Sequence, residues 1–384
     1  MRKRIVIVAG TRPEAIKLSP LILELHRANW AEPVVVATGQ HGDLLSVAMG
    51  AFGIRVDHDL ALMTPAQSLA GLTSRAFQRL DACLHELAPD MVIAQGDTTS
   101  VMAAGVCSFY RRIPFGHVEA GLRTNNLHAP FPEEFNRRVA GLVADLHFAP
   151  TEIARQNLLR EDVPNEQIHV VGNTVIDALH AMLGRKPAMP FAIGEDACVL
   201  LLTAHRRESF GEPMRQLFGA VAELVRRYPK VEVIYPVHPN PAVSDLASEM
   251  LGSIDRVHLC APLAYPQLVS VMARCHLVLT DSGGLQEEAP ALGKPVLVLR
   301  ETTERPEAVE LGVARLVGTD RSRVVEEVAR LLDDPAAYRQ MARGVSPYGD
   351  GKASARITSI LECYFEGRRV GPEQALRPMM LETS

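Results

Sequence analysis

Three carboxylates in the N-terminal half of the sequence stand where short apolar runs end. Asp97 and Glu119 each come within two residues of the end of such a run, and Glu133 lies in the polar loop after them. Ligands of open parallel sheets bind at the carboxyl ends of strands, so we expect these side chains to lie near one another. Asp97 alone could be a helix N-cap, but three crowded carboxylates repel one another unless they exchange protons or bind a metal. Because these loops contain no D-x-D or H-x-x-x-H motif, the pattern favours proton transfer over metal ligation.

Basic residues stand at two other strand ends. Arg12 lies in the turn after the first apolar run, Lys17 lies about one helical turn further, and His205 follows the first run of the second half. Cationic side chains near a helix amino end attract an anion, and this arrangement suits a phosphate group. The alternatives are a solvated helix start for Arg12 and Lys17, and a histidine that is bonded only to a backbone carbonyl.

A Ser-Gly-Gly turn follows another apolar run in the second half. The backbone amides of Ser282, Gly283 and Gly284 would bind an anion at a helix start, and Glu288 can accept two ribose hydroxyls. A helix cap alone would explain the turn but not the acid behind it. Neither G-x-G-x-x-G nor a P-loop spacing occurs at these turns. The economical ligand is therefore a nucleoside diphosphate.

The elements that must position these residues alternate short β-rich runs with longer segments of helical period. This alternation is typical of α/β folds with parallel sheets. The predicted strands are 4–9, 33–38, 91–95, 115–118, 146–148, 168–171, 198–203, 231–236, 256–259, 277–280 and 296–299.

A stretch rich in proline and charge, 184–190, interrupts the alternation and reads as a linker between two domains. We therefore predict an N-terminal domain over 1–183 that carries the carboxylates and a C-terminal domain over 184–365 that binds the nucleotide. A C-terminal helix at about 366–384 can pack back on the first domain.

The composition is that of a folded enzyme, with 47% hydrophobic and 22% charged residues in 384. A net charge of −5 gives no overall positive field for nucleic acid or an acidic membrane surface.

The six cysteines never form C-x-x-C, which argues against a zinc site and a disulfide framework. The first apolar run, 5–9, is too short for a signal peptide or a membrane span. We expect a cytoplasmic protein that needs no metal and no cofactor.

Taken together, these motifs resemble the non-hydrolysing UDP-N-acetylglucosamine 2-epimerases. The matching segments are Gly10–Leu18, Gln95–Thr99, His117–Thr124, Phe131–Arg137, Gly172–Leu179, Thr203–Gly211, Tyr235–Pro239, Asp281–Pro290 and Thr302–Val309. The resemblance implies an α/β fold of GT-B architecture, with two Rossmann-like domains whose parallel sheets face an interdomain cleft. It also implies a homodimer that binds UDP-N-acetylglucosamine and UDP.

The resemblance assigns roles to residues. The implied catalytic residues are Asp97, Glu119, Glu133 and His205. The implied ligands of the UDP-sugar are Arg12, Lys17, His205, Ser282, Gly283, Gly284, Glu288 and Arg305. The implied reaction eliminates UDP to leave 2-acetamidoglucal and adds it back with protonation from the opposite face, in the service of surface polysaccharide synthesis. Two faces need two acid–base groups, and which carboxylate serves which face stays open.

One segment departs from the family pattern. Bacterial relatives bind an activating UDP-N-acetylglucosamine through a Q-H-x-[QE]-M-L segment and a later basic residue. Gln40 and His41 match that segment, whereas Asp43 and Ala66 replace groups expected to contact the second ligand. We expect a remnant of the allosteric site with relaxed activation.

Other functions would use similar residues. A GT-B glycosyltransferase shares the nucleotide site, but three acids in the first domain favour an epimerase. A non-catalytic nucleotide-sugar-binding protein would keep the second-domain site and lose the acids. A hydrolysing epimerase would release free N-acetylmannosamine.

Overall fold

The apolar runs of the first half form one parallel sheet in a computed structural model that describes residues 1–39, 43–64, 67–206 and 209–370. The strands are β1 (Lys3–Ala9), β2 (Ala31–Ala37), β3 (His58–Asp59), β4 (Met91–Gln95), β5 (Phe115–Val118), β6 (Leu146–Ala149) and β7 (Ile168–Val170). Their order is β3-β2-β1-β4-β5-β6-β7, and every neighbouring pair is parallel. The sheet confirms the predicted α/β class. The short β3 was not predicted, because two residues carry no period.

Helices follow these strands, and the first six of them connect one strand of the sheet to the next. They are α1 (Arg12–Arg27), α2 (Asp43–Gly50), α3 (Leu69–Leu87), α4 (Thr99–Arg111), α5 (Glu133–Val143), α6 (Glu152–Leu159) and α7 (Thr174–Gly184). Three of them begin after a hydroxyl cap: the side chains of Ser68, Thr98 and Thr151 accept from the amide three residues on, at 3.1, 3.4 and 3.2 Å. These caps satisfy amides that have no partner within the helix.

The second half forms a separate parallel sheet. Its strands are β8 (Cys198–Thr203), β9 (Val231–Pro236), β10 (Val257–Cys260), β11 (Leu277–Thr280), β12 (Val296–Val298) and β13 (Ala314–Leu316). The helices of this half are α8 (Glu212–Arg227), α9 (Pro241–Leu251), α10 (Tyr265–Arg274), α11 (Gly283–Ala291), α12 (Pro306–Glu310), α13 (Arg321–Asp333) and α14 (Pro335–Met341). The strand order is β10-β9-β8-β11-β12-β13. Because β8 and β11 are neighbours, the loops after them start side by side.

The chain divides into two compact units. Met1–Ala181 and the segment from Tyr348 onward form the first unit, and Met182–Pro347 forms the second. The first break lies close to the predicted boundary at 184. The segment 348–365, which the sequence analysis placed in the second domain, belongs to the first unit.

A last helix, α15 (Ala353–Phe365), explains why the chain returns. The Asp177 carboxylate on α7 accepts hydrogen bonds from the amides of Ser354 and Ala353 at 2.7 and 3.2 Å, which caps α15. The ring of Phe365 lies 5.8 Å from that of Trp30. Helical period alone cannot tell which sheet a helix packs on. No helix begins within 366–370, and the rest of the helix expected at about 366–384 lies outside the described residues.

The helices in the described part of the chain include none with the length and apolarity needed to cross a bilayer. All six cysteines are free thiols.

Candidate active site

Glu119 lies directly after β5 and is held by donors from other strand ends. Its backbone is left-handed, with φ 61°, and the residue is 8% exposed. Lys17 Nζ lies 2.8 Å from both carboxylate oxygens. The Gln95 side-chain amide donates to Oε2, and Asn173 Nδ2 lies 3.4 Å from Oε1. Lys17 therefore supplies a buried counter-charge, while the amides fix the orientation of the carboxylate.

Asp97 is held from α5. The Arg137 guanidinium contacts Asp97 Oδ2, and Asn136 Nδ2 donates to the Asp97 carbonyl oxygen at 3.0 Å. The Asp97 side chain stays 29% exposed. It can therefore both pair with a cation and contact a ligand.

The two adjacent acids at the start of α5 differ in surroundings. Glu134 is fully buried and accepts from the amides of Thr124 and Asn125 at 3.0 and 3.1 Å. Glu133 is only half-buried. Glu134 thus holds the preceding loop, and Glu133 is the acid of the pair that a ligand can reach.

Glu14 is a buried acid beside this site that the sequence analysis did not select. Its Oε2 accepts from the amides of Gly10 and Thr11 at 2.5 and 3.1 Å. Burial raises the pKa of Glu14 to about 7, the two amides act to lower it, and the nearby Asp97 raises it further. In the sequence Glu14 appears only as the third residue of a helix, where a cap is ordinary.

Replacing Glu14 with Gln should make stability less dependent on pH. The folded state favours the protonated form of Glu14. The stability that this preference contributes is fully present below pH 4.5 and is lost as the pH rises through about 7. Glu14→Gln should match the wild type near pH 4.5 and exceed it by about 3 kcal/mol at pH 8. Urea unfolding at both pH values measures this, with Glu24→Gln on the same helix as the matched control. A difference that does not change with pH would contradict the raised pKa.

Two buried histidines lie behind the carboxylates. His117 on β5 pairs in register with His147 on β6, and His117 Nε2 lies 2.7 Å from the Gly96 carbonyl oxygen. Burial lowers the pKa of His117 to about 4 and that of His147 to about 3. Both are therefore neutral at pH 7 and act as polar core residues.

Arg12, predicted in the turn after the first strand, is the first residue of α1 and is half-buried. Burial lowers the pKa of its guanidinium. Lys17, predicted beside it as a ligand of the nucleotide sugar, is paired with Glu119 in this structure. Its contact with a nucleotide stays a prediction.

In the second unit, His205 follows β8 and Asp281 follows β11. His205 Nδ1 lies 3.0 Å from Asp281 Oδ1, and the His205 side chain is 44% exposed. Arg206 Nε donates to the Asp281 carbonyl oxygen at 3.0 Å. Burial acts to raise the pKa of Asp281, but His205 and two backbone amides lower it below its ordinary value. His205 was predicted from the sequence as a site residue and Asp281 was not, although Asp281 also stands at a strand end.

The Ser-Gly-Gly turn starts a helix, as predicted. Ser282 is the N-cap residue of α11, and Gly283 is its first residue. A Cβ atom on Gly283 would lie 2.9 Å from Arg305 Cζ, so the guanidinium lies directly over this glycine. Arg305 Nε donates to Glu287 Oε1 at 2.8 Å. The cation therefore stands beside the amides that were predicted to bind an anion.

Glu288, the predicted ribose ligand, is 5% exposed. The Tyr265 hydroxyl donates to its Oε1 at 2.7 Å. Burial and this carboxylate raise the pKa of Tyr265 well above its ordinary value, so the phenol keeps its proton. Tyr265 thereby orients the Glu288 carboxylate.

Some predicted residues cannot be placed. Gln40, His41 and Ala66, together with the side chain of Asp43, lie outside the described residues. Within the described ranges, no cluster of three or more His, Cys, Asp or Glu side chains suits a metal ion.

Each of the two Rossmann-like units has a parallel sheet. One unit carries acids at its strand ends and the other a Ser-Gly-Gly helix start, and together they define a fold of GT-B architecture. Residues 23–362 match the sequence model of the UDP-N-acetylglucosamine 2-epimerases. The chain is 47% identical to the UDP-N-acetylglucosamine 2-epimerase of Bacillus subtilis over 372 residues, which are 96% of this chain and 98% of that protein.

Solved structures agree with this match. The UDP-GlcNAc 2-epimerase of Neisseria meningitidis, bound to UDP-GlcNAc, is 44% identical with a TM-score of 0.88, over 94% of this chain and 99% of that chain. S. aureus MnaA with UDP is 40% identical with a TM-score of 0.89, over 96% of this chain and 99% of that chain. The chain belongs to the UDP-N-acetylglucosamine 2-epimerase family, a family of isomerases. The family resemblance inferred from the sequence motifs is confirmed.

Proposed function

We propose that the protein interconverts UDP-N-acetylglucosamine and UDP-N-acetylmannosamine by elimination and re-addition of UDP. Family membership supports the substrate and the change at C2. The observation that carries the proposal is the buried Glu119 carboxylate, which is fixed by Lys17 and two side-chain amides at a strand end. Such an orientation suits repeated proton transfer at one carbon atom.

The chemistry explains why acids and anion-binding groups are both needed. The C2 hydrogen is not α to a carbonyl, so its direct removal would leave an unstabilised carbanion. In the proposed route a carboxylate takes the C2 proton, the C1–O bond breaks, and UDP leaves with the bonding electrons. The product is 2-acetamidoglucal. UDP oxygen then adds back to C1, and an acid on the opposite face delivers a proton to C2.

The first unit offers the groups for both proton transfers. Glu119 and Asp97 stand just after strands, and Glu133 is the first residue of α5 rather than a loop residue. The proposal requires two of these acids to act on opposite faces of the sugar ring. Asp97 pairs with Arg137 and Glu119 pairs with Lys17, so each carboxylate has its own cation. Separate cations limit the repulsion between the two acids.

The second unit offers the groups for UDP. The amides of Ser282, Gly283 and Gly284, with Arg305 above them, suit the diphosphate, and Glu288 suits the ribose. Donors that hold the departing UDP lower the barrier to elimination and keep it available for re-addition.

Proton NMR of the protein with UDP-N-acetylglucosamine in D2O tests the proposal. We expect UDP-N-acetylmannosamine with deuterium at C2, and deuterium also in recovered substrate, because the reaction is reversible. An epimer that retains its C2 hydrogen would contradict the elimination route. Free N-acetylmannosamine as the product would identify a hydrolysing enzyme instead.

The nucleotide contacts give a second prediction. Each of the single variants Arg12→Ala, His205→Ala and Glu288→Ala should weaken UDP binding about ten- to a hundredfold, since charge-assisted contacts contribute roughly 1.5 to 3 kcal/mol. Calorimetry measures the affinity, and the exposed Arg55→Ala is the matched control. If all three variants bind UDP as the wild type does, the nucleotide site lies elsewhere. A homodimer and a role in surface polysaccharide synthesis stay predictions.

A further inference from the structure

We infer that Asp281 is a positioning residue that sets the tautomer of the exposed His205 ring and leaves Nε2 as the nitrogen that faces the reaction. The inference rests on the proposed function, in which His205 contacts the UDP-sugar. It adds a second buried acid to that site, one that acts through the histidine rather than on the substrate.

The strand register brings the two residues together. Thr280 on β11 pairs with Thr203 on β8, and their hydroxyl oxygens lie 2.6 Å apart. Asp281 is the next residue after one strand, and its amide donates to the Thr203 carbonyl oxygen at 3.1 Å. His205 comes two residues after the other strand. The histidine and the carboxylate are therefore held by the backbone of adjacent strands.

The two oxygens of Asp281 have different partners. Oδ2 accepts from the amides of His205 and Arg206 at 2.7 and 2.8 Å. Oδ1 is buried and has no hydrogen-bond partner among the described residues, and His205 Nδ1 lies 3.0 Å from it. A buried carboxylate oxygen without a donor is costly. A proton on His205 Nδ1 is the group that can satisfy it.

The tautomer follows from that contact. In a neutral imidazole one nitrogen carries the proton and the other accepts, and the bond made by one nitrogen decides the state of the other. In the neutral ring, with Nδ1–H directed at Asp281, the lone pair lies on Nε2, and uptake of a second proton there gives the cation that can donate to a diphosphate. The ring of His238 is nearly parallel to that of His205, with ring centroids 5.8 Å apart and an interplanar angle of 14°.

The variant Asp281→Asn distinguishes a role in setting the His205 tautomer from a purely structural role in the loop. The amides of His205 and Arg206 need an acceptor, so the Asn carbonyl oxygen takes the place of Oδ2 and the loop keeps its bonds. The Asn NH2 group then faces His205 Nδ1 and can only donate to it. This moves the imidazole proton to Nε2. If Asp281 only caps the loop, Asp281→Asn should behave as the wild type.

The experiment is NMR of protein labelled with 15N-histidine, with the His205 signals assigned by their loss in His205→Gln. We expect Nδ1 to carry the proton in the wild type and Nε2 to carry it in Asp281→Asn. We also expect kcat for epimerisation to fall about 100-fold with little change in KM, a loss in the range typical of acid–base groups. His238→Phe keeps a stacked ring and is the matched control, which should retain the Nδ1–H tautomer.

Two results would overturn the inference. One is a wild-type His205 with its proton on Nε2, which requires no variant to fold. The other is an Asp281→Asn enzyme with the wild-type tautomer or the wild-type kcat. The proposed function fails separately, if the wild type takes up no deuterium at C2, and the tautomer measurement does not depend on that result.

Discussion

Glu119→Gln should lower the rate of epimerisation and of deuterium uptake at C2 by about 10²- to 10⁴-fold, the range typical of general acid–base groups. Glutamine keeps the size of the side chain and can still bond to Asn173 and Gln95, but it cannot take a proton from carbon. Because Glu119 is not among the groups predicted to contact UDP, we expect UDP affinity to change little. Rates from NMR in D2O and UDP affinity from calorimetry provide the two readouts.

The matched control for this variant is Glu152→Gln. Glu152 lies in the first turn of α6 with its side chain 62% exposed, and it pairs with Arg155 on the surface. It should epimerise at the wild-type rate. A Glu119→Gln enzyme that takes up deuterium as fast as this control would remove Glu119 from the reaction.

Lys17→Met should destabilise the first unit by about 3 to 5 kcal/mol, because it leaves a buried carboxylate without its counter-charge. The Lys17 and Glu119 side chains are only 11% and 5% exposed, so water cannot replace the ammonium. The double variant Lys17→Met with Glu119→Gln should recover much of that loss, since it removes both charges. Urea unfolding of the four proteins in this cycle measures the coupling.

Trp30 makes this measurement specific for the first unit. It is the one tryptophan of the sequence and packs 5.8 Å from the ring of Phe365 on α15. Arg27→Met, which breaks an exposed pair with Glu24, is the control and should have a much smaller effect. If Lys17→Met unfolds at the wild-type urea concentration, the pair with Glu119 is not the stabilising contact we describe.

The sequence by itself determined the elements and the positions of the polar groups along them. The runs 91–95, 115–118, 198–203, 231–236 and 277–280 were predicted with the bounds that the strands have. Alternation of apolar runs with helical period is a local property, so it can be read without knowing the fold. The ends of those strands then pointed to Asp97, Glu119, His205 and Ser282.

Only the tertiary structure decided which groups meet. Lys17 and Glu119 are 102 residues apart, and His205 and Asp281 are 76 apart. No local pattern records such a pairing, because it depends on strand order. Two of the groups that act on the pKa of Glu14, Asp97 and Thr98, also lie far along the chain from it. The return of 348–365 to the first unit has the same origin, since Asp177 caps a helix that lies far along the chain.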